Sequence, residues 1–197
     1  MYFSKIVLPV IASLSITACV PIILGGAAAA GYLAVQERGA KTAVIDSKIK
    51  THIKDRLFGT DYRYLTDIGV NVLQGNVLLT GVAKDQKAVD EVEKITRTTK
   101  DVKNVANNII IAEKYSASQY SRDSWIATQF KTRMVGAKDV YSINYLTDTV
   151  MGNIYILGLA GTESEKERVL HIARTTKGVQ QVYNYIRVGS EAVETAE

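Results

Sequence analysis

Two stretches decide the fold: residues 75–83, GNVLLTGVA, and residues 152–160, GNIYILGLA. They lie 77 residues apart, and the same offset, without a gap, aligns the sequence RTTK at 97–100 with RTTK at 174–177. Over residues 75–111 against 152–188, 14 of 37 positions are identical. Identity at this level over a constant offset indicates a tandem duplication, so the chain is predicted to contain two copies of one structural unit.

Each copy is predicted to begin with a helix that has one apolar stripe, followed by a strand. The stripes recur every four residues, at Ile49, Ile53 and Leu57 and, 77 positions later, at Ile126, Phe130 and Met134. The first strands are predicted from alternating positions, at Ile68, Val70 and Val72 and at Tyr145, Thr147 and Thr149. Return strands at 77–82 and 154–159, second helices with Val92, Ile95, Val169 and Ile172 inward, and last strands at 105–111 and 182–188 complete the copies.

Glycines are predicted to form the turn between the first two strands of each copy. Gly75-Asn76 and Gly152-Asn153 place glycine first, as a two-residue type II′ turn requires. Gly81 and Gly158 recur after the hairpin and are grouped with these structural turn glycines. The second helices are predicted to begin after the N-caps Asp85 and Thr162, and Thr162 with Glu165 has the spacing of a capping box.

The predicted order is α-β-β-α-β, twice, which places the chain in the α+β class. Because a β-α-β connection crosses over right-handed into a parallel pair, each three-stranded sheet is predicted to be mixed, with two helices. The predicted divisions are a signal peptide (1–18), a tether that begins with an acylated Cys19 (19–43), domain 1 (44–112), a linker (113–119), domain 2 (120–189) and a C-terminal tail (190–197).

The N-terminus has the pattern of a targeting segment. Lys5 precedes an apolar run, and Ile16-Thr17-Ala18-Cys19 resembles the bacterial lipobox, in which the cysteine is acylated. Cys19 is the sole cysteine, which excludes a disulfide framework. The alternative is that Cys19 lies by chance in a signal peptide or a membrane helix, because the uncharged run to residue 35 is long enough to span a bilayer. By known sorting rules, Val20 after the cysteine implies passage to the outer membrane.

The lipobox, the tether and the duplicated α-β-β-α-β units with central glycines resemble the BON domain family. The whole chain is similar to dual-BON outer-membrane lipoproteins of the DolP (YraP) family, of which OsmY is a soluble relative. The resemblance implies a lipid-anchored periplasmic protein that binds anionic phospholipid, gathers at division sites and supports outer-membrane integrity. In that family, lipid binding is assigned to the first helix of the second BON domain, which corresponds here to the helix that carries Trp125.

The sequence offers little support for catalysis, a cofactor, a metal or nucleic-acid binding. His52 and His171 lie on different repeats and different helix types, and the glutamates at 163, 165 and 167 suit the start of a helix. No glycine-rich phosphate loop or nucleophile elbow is present. The net charge of +4 is mild, and acids are interspersed among the bases, so nucleic acid is not the expected partner. We expect a non-enzymatic protein.

The sole tryptophan, Trp125, is predicted to lie about 100° around its helix from the buried stripe. Trp125 aligns with Lys48 of the first repeat, so the fold does not require an aromatic there. A tryptophan among bases suits the headgroup region of an anionic membrane. The predicted phospholipid-binding residues, hereafter the Trp125 face, are Arg122, Trp125, Thr128, Gln129, Thr132 and Arg133. The alternative is that Trp125 packs against the other repeat or the linker.

Two functions remain open from the sequence. The first is a lipid-anchored module that binds an anionic phospholipid membrane. The second is a protein-interaction adaptor for envelope-assembly or division proteins, in which Trp125 is the central residue of a protein interface. The sequence leaves the orientation of the repeats and the oligomeric state undetermined.

Overall fold

The computed structural model describes residues 39–61 and 63–189, so the lipobox, Cys19 and the C-terminal tail lie outside the described residues. The first repeat consists of α1 (Ala40–Thr60), the short α2 (Arg63–Asp67), β1 (Ile68–Leu73), β2 (Asn76–Ala83), α3 (Gln86–Arg97), β3 (Asn104–Asn107) and β4 (Ile110–Ile111). The second consists of α4 (Ala117–Val135), a 3₁₀ turn (Ser142–Asn144), β5 (Tyr145–Val150), β6 (Asn153–Ala160), α5 (Glu163–Arg174) and β7 (Gln181–Val188). The predicted α-β-β-α-β order is confirmed in both copies. α1 and α4 begin inside the predicted tether and linker, at Ala40 and Ala117.

Each sheet is mixed, as predicted. β1 pairs antiparallel with β2, and β2 pairs parallel with β3 and β4. β5 pairs antiparallel with β6, and β6 pairs parallel with β7 over its whole length. The predicted last strand of the first repeat is interrupted after Asn107, where the side chain of Asn108 turns to hydrogen-bond Tyr185.

The predicted apolar stripes form the core beneath the helices. Ile49, Ile53 and Leu57 are almost fully buried against β1 and β2. The equivalent Ile126, Phe130 and Met134 are buried against β5 and β6. Both stripes face the sheet because apolar side chains spaced four residues apart share one side of a helix. All core clusters of the described residues lie between Ile49 and Val188, so we expect a chain that begins at Gly39 to fold by itself.

The predicted turns start one residue too late, and their predicted type is wrong. The two turn residues are Gln74-Gly75 and Met151-Gly152, since Leu73 pairs with Asn76 and Val150 with Asn153. Both residues of each turn have positive φ: 53° and 78° in the first hairpin, 50° and 78° in the second. Two positive φ values define a type I′ turn, with glycine second, whereas type II′ requires it first. Gly75 and Gly152 do have positive φ, as glycines in either turn type would.

Gly81 and Gly158 are not turn residues, contrary to the sequence-based grouping. They lie inside β2 and β6, opposite Ile68 and Tyr145. Gly81 has a φ of +113°, and a Cβ built there would stand 2.0 Å from the backbone oxygen of Asp67. Gly158 has no positive φ, but its Cβ would stand 2.3 Å from the ring of Tyr145. These positions need glycine because neighbouring groups approach the strand closely.

The predicted N-caps are confirmed. The Asp85 side chain accepts a hydrogen bond from the Ala88 amide, and the Thr162 side chain accepts one from the Glu165 amide. The Glu165 carboxylate does not complete the expected capping box, because it accepts from the amides of Tyr141 and Gly161, both at 2.9 Å. Glu165 therefore ties the start of α5 to the loop before β5.

The two sheets pack against each other through the faces that carry no helices. One apolar cluster joins residues of both repeats: Leu73, Leu78, Val82, Val150, Tyr155, Leu157 and Leu159. Asn71 donates to Asp148 at 2.8 Å, and Asn108 donates to the Tyr185 hydroxyl at 2.7 Å. Each of these pairs joins two positions that are 77 residues apart, so the repeats are related by an approximate two-fold axis that passes through both contacts.

The two-fold axis places the hairpin turns of the two repeats at opposite ends of the molecule. Arg187 hydrogen-bonds Gln74 in the turn of the first repeat. Arg187 lies beside Leu159 in the second sheet, six strand positions from Asn153, which follows the turn of the second repeat. The molecule is thus a four-layer helix-sheet-sheet-helix sandwich whose two turn ends are separated by about 20 Å along the strands.

Candidate functional site

Trp125 lies on the exposed side of α4, at the turn end of the second repeat. Its side chain is 48% exposed, whereas the adjacent Ile126 is fully buried. α4 begins with a capping box in which Ser116 and Gln119 bond reciprocally, which fixes the direction of the helix. Trp125 is therefore not fully buried against the first repeat or the linker, and about half of its side chain is free to contact a partner.

A glycine makes room beside the indole ring. Gly178, in the loop between α5 and β7, has a φ of +91°, and a Cβ at this position would stand 3.6 Å from Cζ3 of Trp125. The positions equivalent to Trp125 and Gly178 in the first repeat are Lys48 and Asp101, both exposed. The second repeat thus has an aromatic ring and a glycine where the first repeat has two charged residues.

Among the described residues of α4 and of the loop at 175–180, the surface around Trp125 carries bases and no exposed acid. Arg122 and Lys177 are exposed on either side of it. The one acid of α4 is Asp123, which is 4% exposed, and the loop at 175–180 has none. Two exposed acids of the first repeat, Asp55 on α1 and Asp101 after α3, correspond here to Thr132 and Gly178. This surface can therefore approach an anion without facing a carboxylate.

The other residues predicted for the Trp125 face differ in how they are engaged. Arg122, Thr128 and Thr132 are exposed, and Gln129 is half-buried. The Thr128 hydroxyl donates back to the Ser124 carbonyl at 2.8 Å, as Thr51 does to Ser47 in the first repeat at 3.0 Å. Gln129 donates to the Lys177 carbonyl at 3.4 Å, so it connects the helix to the loop that carries Lys177 and Gly178.

Arg133 is engaged within the second repeat. Its guanidinium donates to the carbonyl of Ile172 and to the hydroxyls of Thr175 and Thr176, at 2.8–2.9 Å. Arg56 makes the same three contacts in the first repeat, with Ile95, Thr98 and Thr99. Because this contact is duplicated in the repeat that lacks Trp125, we interpret Arg133 as a residue that holds the end of α5 and not as a lipid contact.

The sequence analysis missed a buried carboxylate that orders this end of the repeat. Asp123 accepts hydrogen bonds from the turn amides of Met151, at 2.6 Å, and Gly152, at 2.7 Å. Asp46 accepts the equivalent bonds from Gln74 and Gly75, at 2.8 and 2.9 Å. An identical acid on the buried side of both first helices was the available signal. These bonds hold α4 against the hairpin turn and so position the backbone next to Trp125.

The linker is attached to the same carboxylate. The hydroxyl of Tyr115 donates to Asp123. Burial, followed by this hydrogen bond, raises the pKa of Tyr115 well above its usual value. Tyr115 also packs on the cluster between the two sheets. The turn end of the second repeat is thus connected to the inter-repeat contact through one tyrosine.

The described residues show no arrangement for metal chemistry. His52 and His171 are exposed on separate repeats, and no group of three or more histidine, cysteine, aspartate or glutamate side chains among the described residues is placed to hold a metal ion. Glu163 and Glu167 are exposed, and Glu165 is bound to backbone amides. Within residues 39–61 and 63–189, no helix has both the length and the apolar character to cross a bilayer.

Comparison with known proteins gives one family and several relatives. The model of the BON domain matches residues 43–113 and 122–190. A protein of Anaplasma centrale, described as an uncharacterized protein in the gshII 5′ region, is 33% identical over 144 residues, 73% of this chain and 94% of the relative. Outer membrane lipoprotein DolP of Haemophilus influenzae is 26% identical over 87% of this chain and 89% of its own length. Osmotically-inducible protein Y of Escherichia coli is 25% identical over 72% of each chain.

Proposed function

Because the chain belongs to the BON domain family, we propose that it is a lipid-anchored outer-membrane protein that binds anionic phospholipid through the Trp125 face. Arg133 is left out of this contact because its guanidinium is bound within the second repeat. The name of the DolP relative, an outer membrane lipoprotein, supports the location. The lipobox at 16–19 supports a lipid on Cys19, and with it an orientation toward the periplasm. We further propose that the protein supports outer-membrane integrity and gathers at division sites, as the family resemblance implies.

One observation carries the lipid-binding proposal: the sole tryptophan is half exposed near Arg122 and Lys177, where α4 and the loop at 175–180 have no exposed acid. An indole ring is stabilised at the membrane interface, where its apolar body leaves water and its N–H remains hydrated. Each nearby base adds about 1 kcal/mol of attraction to an anionic leaflet.

We expect the fluorescence of Trp125 to shift to the blue when the chain from Gly39 onwards meets vesicles that contain phosphatidylglycerol. Vesicles of phosphatidylcholine alone should cause a much smaller shift, because they lack the net negative charge that attracts Arg122 and Lys177. Trp125→Glu should weaken binding by roughly 3 kcal/mol, since it removes the burial of the exposed half of the ring and adds repulsion from the anionic surface. Vesicle sedimentation measures this loss.

Tyr120→Glu is the matched control for Trp125→Glu. Tyr120 is 63% exposed on the same helix, about 140° around it from Trp125. The Tyr120→Glu substitution should leave vesicle binding unchanged. Arg122→Gln should cost about 1 kcal/mol at low salt, and the cost should fade as salt screens the charge. If the Trp125 emission does not change when anionic vesicles are added, and Trp125→Glu is folded and soluble, the protein-interaction adaptor is favoured.

The anchor is tested separately. We expect Cys19→Ser to leave an unprocessed precursor that no longer incorporates labelled fatty acid, because the thiol that receives the lipid is absent. The unprocessed precursor keeps its apolar N-terminal run, so it should stay in the inner membrane and be absent from the outer-membrane fraction. Unchanged labelling would show that Cys19 is not the modified residue, whatever the Trp125 face binds.

A further inference from the structure

A second exposed face lies at the start of α1, in the first repeat. Four residues, each three or four positions from another, share one side of this helix: Lys41, Val44, Ile45 and Lys48. Val44 is 56% exposed and Ile45 is 40% exposed, and both lysines are exposed. We call these four residues the α1 face. Two apolar side chains between two lysines form a small amphipathic surface.

The α1 face occupies the position in the first repeat that the Trp125 face occupies in the second. Ile45 is equivalent to Arg122, and Lys48 is equivalent to Trp125, at the offset of 77 residues. Each repeat thus presents one exposed apolar and one exposed basic side chain at these two positions, in exchanged order. A feature kept in both copies, with its members exchanged, is difficult to attribute to helix stability, because neither position is buried.

The two faces lie at opposite ends of the molecule. Asp46 binds α1 to the Gln74-Gly75 turn, and Asp123 binds α4 to the Met151-Gly152 turn. The two turns lie at opposite ends of the packed sheets, about 20 Å apart along the strands. In addition, α1 and α4 form opposite outer layers of the sandwich, so their exposed sides point away from each other. One flat membrane therefore cannot contact both faces fully at the same time.

The charges around the α1 face favour an anionic partner. A cavity of about 790 Å³ lies next to Ile45 and is bounded by Lys103 and Arg187. Its acids are Asp46, which is buried on two backbone amides, and Asp101, which is exposed. Asp55 is exposed two turns further along α1. Lys41, Lys48, Lys103 and Arg187 outnumber the two exposed acids.

The position of the face in the chain favours a lipid surface as its partner. α1 is the first described helix after Cys19, and about 20 residues separate that cysteine from Gly39. A chain of that length spans at most about 70 Å when fully extended, so an acylated Cys19 would keep the α1 face near a membrane. Of the two faces, this one has the shorter covalent connection to the anchor.

We propose that the α1 face is a second contact surface for anionic lipid, so that the protein binds lipid at two opposite ends. This inference rests on the proposed function of the Trp125 face. It has a consequence that one lipid contact lacks. A chain that begins at Gly39, and therefore has no acyl group, should join two anionic vesicles and cluster them.

The test compares vesicle binding and clustering for four chains that begin at Gly39: the natural sequence, Ile45→Glu, Trp125→Glu and the double variant. The vesicles contain phosphatidylglycerol and phosphatidylcholine; binding is measured by sedimentation and clustering by dynamic light scattering. We expect the natural chain to cluster vesicles and both single variants to bind without clustering. Ile45→Glu should retain the blue shift of Trp125, and in the Trp125→Glu background it should lower the remaining binding by roughly tenfold.

Phe58→Glu is the matched control. Phe58 is 58% exposed on α1, about 140° around the helix from Ile45, and its replacement should leave the remaining binding unchanged in the Trp125→Glu background. Equal losses for Phe58→Glu and Ile45→Glu would overturn the α1 face. Unchanged clustering by Ile45→Glu would also overturn it, and so would a complete loss of binding in Trp125→Glu. In both cases a blue shift of Trp125 in the natural chain would still support the proposed function. Binding that depends on Ile45 but not on Trp125 would overturn the Trp125 face instead.

Discussion

Gly81→Ala should prevent the first repeat from reaching its native structure. The new Cβ would stand 2.0 Å from the Asp67 oxygen, and 3.0 Å from its carbonyl carbon, in a strand that pairs with β1 at this position. The overlapping atoms belong to the backbone of residues 67–68, so no side-chain movement relieves the overlap, and the φ of +113° is itself strained for alanine. We expect a loss of more than about 4 kcal/mol in the free energy of unfolding.

The loss should extend to the second repeat, because the sheets share one apolar cluster. Thermal unfolding followed by circular dichroism measures the change, and Trp125 fluorescence reports on the second repeat by itself. Gly59→Ala is the control: a Cβ at Gly59, inside α1, meets no atom within 4 Å, and alanine there should stabilise by up to about 1 kcal/mol. A Gly81→Ala chain that melts at the natural temperature would show that β2 does not pass as close to Asp67 as described.

Asp123→Ala should have the second-largest effect on stability. The change leaves the amides of Met151 and Gly152 without their acceptor in a buried site. Each buried amide that loses its partner costs about 1–3 kcal/mol, and the Tyr115 hydroxyl loses its partner as well. Met151 has a φ of 50°, a conformation that a methionine adopts reluctantly, so the turn depends on these bonds. We expect a loss of roughly 3–5 kcal/mol and a melting temperature lower by roughly 10 °C.

The first repeat provides an equivalent variant and a control. Asp46→Ala removes the same pair of turn bonds in the first repeat and should cost a similar amount. Asp55→Ala, an exposed acid of α1, should change stability by less than about 0.5 kcal/mol. If Asp123→Ala unfolds like Asp55→Ala, the carboxylate does not stabilise the turn, and the position of Trp125 must be explained by packing alone.

The candidate site was predictable from the sequence in part. Trp125 was placed correctly on an exposed side of α4 because helical spacing turns it away from Ile126, Phe130 and Met134. The role of Arg133 was not predictable, because its partners at 172–176 are nearly 40 residues away in the chain. Gly178 and Lys177 were missed for the same reason: a loop meets the helix only after the sheet has formed.

The sequence by itself determined the duplicated α-β-β-α-β order, the apolar stripes of α1 and α4, and the N-caps at Asp85 and Thr162. The stripes and caps depend on residues within a few positions of each other, and the duplication depends on a constant offset of 77. All of them can therefore be recognised from the sequence without knowing the tertiary contacts. The tertiary structure alone decided that the sheets pack face to face, with Asn71 on Asp148 and Asn108 on Tyr185. That packing explains why β2 and β6 are apolar on both sides, and it sends the two helix faces to opposite ends, because a two-fold axis across the strands reverses their direction.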